Sequence, residues 1–239
     1  MYNWKARIGF ICPSVIETPA LEFYQIVPKG FSFAGVSLNI DHVQLDEVKK
    51  ANAQIDRAVK DLVDAKVDMI VLGGAPIQYM MGDYPYDQEL VKRIEDLSGL
   101  PATTDMTAVL TAMKALKMKK VVIASPNADN LHVRMRKYVE DAGIKVLALK
   151  GLQLTRNSEI ASLPDYASYR TAREVLQEAP EADGIYMPCA RWPVCLNIDA
   201  LERDTQKPVV ASVQAWIWVS MRRLGFADKI EGYGRLFNL

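Results

Sequence analysis

Few side chains in this sequence could move a proton or attack carbon. It has three cysteines, Cys12, Cys189 and Cys195, and two histidines, His42 and His132. Cys189 has the most telling setting. It follows a short apolar run, residues 184–187, in Pro188-Cys-Ala-Arg-Trp192. Loops at strand ends are where parallel α/β proteins place function. A thiol there serves as nucleophile, general acid or general base once its pKa is brought near neutrality. Arg191 is close enough in sequence to assist electrostatically. The competing reading is a buried cysteine acting as a small hydrophobe.

The remaining candidates are weaker. Cys12 precedes Pro13 inside an apolar run and reads as structural filler. Cys195 reads as packed beneath the loop after Cys189. The two do not form a C-x-x-C pair with Cys189 and have no metal-ligand neighbours, so no metal site is expected. His42 follows Asp41, but adjacent side chains rarely pair. His132 falls in a helix-like stretch and reads as a surface residue. Neither histidine stands at a strand end, which gives a Ser/Cys-His triad little support. Gly73-Gly74-Ala75-Pro76 reads as a tight turn that presents backbone N–H groups to an anion or serves geometry alone. It matches neither phosphate-loop nor dinucleotide fingerprints. Ser14 and Asn127 each follow a proline at a strand end. They bind a carboxylate or cap the next helix.

These residues need elements to hold them. Apolar runs at 7–12, 67–72, 99–101, 120–124, 145–149, 184–187 and 208–211 read as strands. Helical spacing covers 45–65, 86–97, 108–116, 130–142, 168–179, 198–204 and 213–224. Trp216 and Trp218 fall on a helix packing surface. Alternation of this kind predicts βαβ units and mainly parallel sheets. Ligands then sit beyond the carboxyl ends of the strands.

An internal repeat runs through the pattern. Ile11-Cys-Pro-Ser14 is echoed by Ala124-Ser-Pro-Asn127, and residues 68–74 by 183–189. Leu100-Pro-Ala-Thr-Thr is echoed by Lys207-Pro-Val-Val-Ala. Three echoes in one order predict two similar lobes facing each other by pseudo-twofold symmetry. The expected lobes are 1–116 and 117–224, with 225–239 returning to the first lobe to close the fold. Gly74 and Cys189 become twin positions in one cleft. One wall is then expected to carry a thiol and the other nothing ionisable.

The chain has 239 residues, 29 Lys+Arg against 29 Asp+Glu, and 50% hydrophobic residues. Its zero formal charge argues against a nucleic-acid or membrane-surface partner. No run of about 18 apolar residues predicts a membrane span. The N-terminus lacks a signal-peptide core, and an odd cysteine count fits a reducing, cytoplasmic setting. A monomer and a homo-oligomer are equally compatible with the sequence.

Together the pieces resemble the aspartate/glutamate racemase-like superfamily, and within it the arylmalonate decarboxylase and maleate cis–trans isomerase branch. The resemblance rests on Arg7-Ile-Gly-Phe-Ile-Cys-Pro, Gly99-Leu-Pro-Ala-Thr-Thr, Thr107-Ala-Val-Leu, Lys120-Val-Val-Ile-Ala, Cys189, Lys207-Pro-Val-Val-Ala-Ser and Gly232-Tyr-Gly-Arg-Leu-Phe. It implies two flavodoxin-like lobes, no cofactor, and a small carboxylic acid bound between them. In racemases and maleate isomerases of this family each lobe supplies a cysteine. The decarboxylase keeps only the second, which protonates the carbanion left when CO₂ departs. Gly74 and Cys189 match the decarboxylase pattern. The resemblance therefore implies a cofactor-independent decarboxylase of a malonate-like or unsaturated dicarboxylic acid. The alternatives are a cis–trans isomerase or racemase using Cys189, and a silent binder of small acids. The decarboxylase's hydroxyl and amide donors after its first-lobe glycine are replaced here by Ala75 and Pro76, its tyrosine by Asn127, and the glycines after its cysteine by Ala190 and Arg191. The carboxylate site is rebuilt, with Arg191 or Asn127 as the new anion holder.

Overall fold

The computed structural model describes residues 4–239. Two four-stranded parallel sheets carry helices on their faces. The first half contains β1 (Ala6–Cys12), α1 (Glu17–Ile26), β2 (Phe31–Ser37), α2 (Leu45–Asn52), α3 (Ile55–Asp64) and β3 (Met69–Leu72). It continues with α4 (Ala75–Met81), α5 (Tyr84–Ser98), β4 (Ala102–Thr104) and α6 (Asp105–Ala115). The second half contains β5 (Lys120–Asn127), α7 (Asp129–Asp141), β6 (Lys145–Leu154), α8 (Asn157–Ala161) and α9 (Asp165–Glu178). Then come β7 (Gly184–Met187), α10 (Ile198–Thr205), β8 (Val209–Ala211) and α11 (Ser212–Arg223).

The sheets run in the orders β2-β1-β3-β4 and β6-β5-β7-β8. The same order twice makes β1 the counterpart of β5 and β3 the counterpart of β7. Strands β1, β3, β5 and β7 lie inside their sheets, so their centres read as nearly continuous apolar runs.

Four elements escape the periodicity, the short helix α8 among them. Strand β2 lies at a sheet edge and is mostly half-buried, so it lacks a continuous apolar signal. Helix α1 is the second. Helix α4 begins within the expected Gly-Pro turn, because Pro76 fits the first turn of a helix. The helix expected over 45–65 is two helices. The chain bends at Ala53 and Gln54, and the Ala53 amide closes α2 on the Lys49 carbonyl at 3.1 Å.

The halves exchange packing partners. Trp216 of α11 lies against the first sheet, its ring 4.9 Å from Phe10 and 5.9 Å from Phe23. Met106 of α6 takes a contact from the Tyr186 hydroxyl of β7. Burying these side chains welds the halves along the cleft floor. The tail bridges the two halves as well. Phe226 packs on Phe31 and Asp228 pairs with Lys5, whereas the Arg235 amide bonds Glu202 and Gln214 bonds the Tyr233 carbonyl. The tail thus touches the first half through Phe226 and Asp228 and ends against the second. No helix among the described residues is long and apolar enough to cross a membrane.

Candidate active site

The carboxyl ends of β1, β3, β5 and β7 open on one cavity. Its wall includes Gly74, Ala75, Pro76, Asn127, Cys189, Ala190 and Arg191. Every expected site residue lies there except Ser14. Ser14 is buried beside the cavity, its carbonyl taken by the Ser37 hydroxyl. Its side chain caps no helix, and neither does that of Asn127.

Backbone geometry supports the twin positions. Gly74 and Cys189 each have φ of 84°. Glycine adopts this left-handed region freely, but a cysteine pays for it. The turn at Cys189 closes when the Trp192 amide donates to the Cys189 carbonyl at 3.0 Å. At Gly74 an added Cβ would meet Pro13 at 2.5 Å. The first-half position has no room for a side chain, and the second is built around one.

Helix α1 of the first half grips the loop carrying the thiol. Glu22 accepts the Val194 and Cys195 amides at 2.9 and 2.8 Å. Arg191 donates to the Val15 carbonyl at 3.1 Å and pairs with Glu17 at 3.2 Å. The Arg191 side chain is only 5% exposed, and its Nε has no partner. A guanidinium this buried, with an N–H left over, is ready to hold an anion.

The expectation that the first-half wall carries nothing ionisable is wrong. Asp105, Tyr79 and Cys12 all line the cavity. Its local setting reads as filler, but Cys12 ends β1 one residue past the Ile11–Leu72 pair with β3, and the strand end opens on the cavity. The thiol of Cys12 is buried against the Val15 carbonyl, and burial pushes its pKa up to about 12. Asp105 follows Thr104, whose hydroxyl caps α6 by accepting the Thr107 amide at 3.0 Å. Within Thr103-Thr-Asp-Met the signal for Asp105 is an acid set between a buried strand and a helix, which no motif marks. Burial lifts its pKa to about 6 despite the Ser212 hydroxyl and the Ala75 and Gly74 amides beside it. Asn157 also lines the cavity, its amide donating to the Ile40 carbonyl at 3.1 Å. Ile40, Val43 and Ile77 supply an apolar side.

Cys195 is buried, as expected. The histidines depart from expectation. His132 is buried rather than on the surface, because Gly151 leaves it room, and its Nδ1 lies 3.1 Å from Asp129. His42 does pair with its neighbour Asp41, at 3.2 Å. Neither borders this cavity. Among the described residues no group of three His, Cys, Asp or Glu side chains could hold a metal ion.

Two buried acids give a pH signature. Burial raises Glu22 from 4.5 to about 7 and Asp105 from 3.8 to about 6. The native state therefore holds protons that the unfolded chain releases, and stability falls as pH rises through this window. Each group contributes at most about 1.4 kcal/mol per pH unit. Thermal melts should show the midpoint falling by several degrees between pH 5 and 8, with a smaller fall in Glu22→Gln. A midpoint that rises over that range would contradict the assignment.

Two similar parallel sheets, with a thiol at one strand end and a buried cation beside it, place this chain among two-lobed α/β proteins with a cavity between the halves. The chain belongs to the arylmalonate decarboxylase family, whose model matches residues 8–237. Arylmalonate decarboxylase of Bordetella bronchiseptica is 28% identical over 71% of each chain. Maleate isomerase of Pseudomonas putida is 25% identical over 97% of each. The fold matches a crystal structure of a liganded arylmalonate decarboxylase double mutant with a TM-score of 0.92. That match covers 98% of this chain and 99% of the other at 22% identity.

Proposed function

We propose that this enzyme decarboxylates a small malonate-like or unsaturated dicarboxylic acid and that Cys189 protonates the resulting carbanion. The observation that carries this reading is the inequality of the twin positions. Cys189 stands alone at its strand end, and Pro13 closes the equivalent space at Gly74.

Arg191 and Asn127 hold the retained carboxylate, with the amides of Ala75 and Ala190 at its margins. The C–C bond to the other carboxylate breaks and its electron pair stays on carbon, spread into the retained carboxylate. The Arg191 charge stabilises that enediolate-like state. CO₂ leaves along the apolar side, where a carboxylate is poorly solvated and a neutral molecule is not penalised. The Cys189 proton then moves to carbon, and the thiolate recovers a proton from water. One acid on one face suffices.

A second reading, isomerisation of a double bond, is favoured by Cys12, the other thiol in the cavity wall. Its burial against the Val15 carbonyl argues for a structural thiol instead. The free thiols fit a reducing compartment such as the cytoplasm.

Turnover of a panel of substituted malonates and of maleate in D₂O separates these chemistries. Decarboxylation releases CO₂ and leaves one solvent deuterium on carbon. Fumarate from maleate at unchanged mass, with no CO₂ from any malonate, would overturn the decarboxylase in favour of the isomerase.

A further inference from the structure

The cavity holds an acid to which the proposed reaction assigns no task. Asp105 is 1% exposed and shares the cavity wall with Cys189. Its neighbours are the amides of Gly74 and Ala75, the Ser212 hydroxyl and the carboxylate of Asp87, with no cation among them. Its Oδ1 has no hydrogen-bond partner. Asp105 opens the helix after the fourth strand of its sheet, and Ser212 opens the equivalent helix in the other half. The repeat thus places a hydroxyl on one side of the cleft floor and a carboxylate on the other.

We propose that Asp105 decides what kind of reagent Cys189 is. Its carboxylate, sharing a largely apolar cavity with the sulfur, keeps the thiol protonated and commits the site to proton delivery rather than thiolate addition. The inference rests on the decarboxylase reading and deepens it. Protonating a carbanion needs S–H. Turning a cis double bond by temporary addition needs S⁻. The two uses require opposite charge states of one atom, and a buried negative charge nearby favours the neutral one.

The other groups facing the sulfur do not cancel this field. Tyr79 of α4, Tyr186 of β7 and Cys12 of β1 are neutral at pH 7 and held so by burial. Among the described residues Arg191 is the one cation lining the cavity, and its two terminal nitrogens are engaged by Val15 and Glu17. The Arg191 and Trp192 amides beside the sulfur favour the thiolate, but burial outweighs them and Asp105 adds to burial. The thiol is pushed up to about 11. Around Asp105 itself, Asp87, Tyr79, Tyr186 and Cys189 supply no positive charge.

Iodoacetamide alkylation reads the thiolate directly and needs no substrate. The rate at Cys189, followed by peptide mass spectrometry from pH 5 to 9, is compared between the wild-type protein and Asp105→Asn. In the wild type, protonating Asp105 lowers the thiol pKa, so the log-rate plot should flatten near pH 6 instead of falling tenfold per unit throughout. In Asp105→Asn the plot should be straight and the rate at pH 8 higher. Each unit lost from the thiol pKa gives roughly threefold, since lower basicity also reduces intrinsic nucleophilicity. A straight wild-type plot overturns the proposal even if the variant fails to fold, and coincident plots overturn it too. If Cys189→Ala instead retains decarboxylation, the functional reading fails, while the alkylation profile still judges Asp105.

Discussion

Replacing Cys189 with glycine should abolish turnover and stabilise the fold. The two effects have separate causes. A positioned general acid contributes about 10²- to 10⁴-fold to a rate, and the other thiol in the cavity wall, Cys12, is held against the Val15 carbonyl on the opposite half. CO₂ release should therefore fall at least a hundredfold. Stability moves the other way because Cys189 sits at φ 84°. A non-glycine residue in that region costs on the order of 1 kcal/mol. For a chain of this size, relief of that strain corresponds to a melting midpoint about 2–4 °C higher. Cys189→Ala separates the causes, since it removes the sulfur but keeps the Cβ. It should lose activity with no gain in midpoint. Retained turnover in either variant would end the role given to this thiol. A lower midpoint in the glycine variant would show that the turn is not strained at this residue.

Arg191→Met should show its largest effect in substrate binding. The guanidinium is buried, and Met matches much of its length without charge. A charge-assisted hydrogen bond to a carboxylate in such a place is worth about 2–5 kcal/mol when one partner is removed. Affinity for a substrate carboxylate should fall by a hundredfold or more, measured by calorimetry or as KM. The fold should survive, because the stranded partner Glu17 has 58% of its side chain exposed and returns to water. Arg191→Lys should recover little, since an ammonium lacks the planar fork. Glu17→Gln should change affinity only slightly and serves as the control. Unchanged affinity in Arg191→Met would move the anion site to Asn127 and Asn157.

Both predictions concern the loop after β7, the part of the site most open to sequence reading. Buried parallel strands are nearly continuous apolar runs, a local property, so β1, β3, β5 and β7 announce themselves. A thiol, a guanidinium or a Gly-Pro turn directly after such a run is equally visible, and Cys189, Arg191 and Gly74 stand out for that reason. The repeat is legible for the same reason, since it is order along the chain. Edge strand β2 is not, because half its surface meets solvent and its pattern blurs.

What only the tertiary structure decided is convergence. Asp105, Cys12 and Asn157 come from three strand ends or helix starts far apart in sequence, and each has a bland local setting. Parallel register brings them to one opening, and burial then gives Asp105 and Cys12 their unusual acidities. Register and burial depend on which chain segments face each other across the sheet. That is a property of the whole packed molecule, and no window of residues contains it. The sequence by itself thus determined the inner strands, the repeat and the thiol at its strand end. The packed fold decided which other groups meet that thiol, and hence the charge it carries.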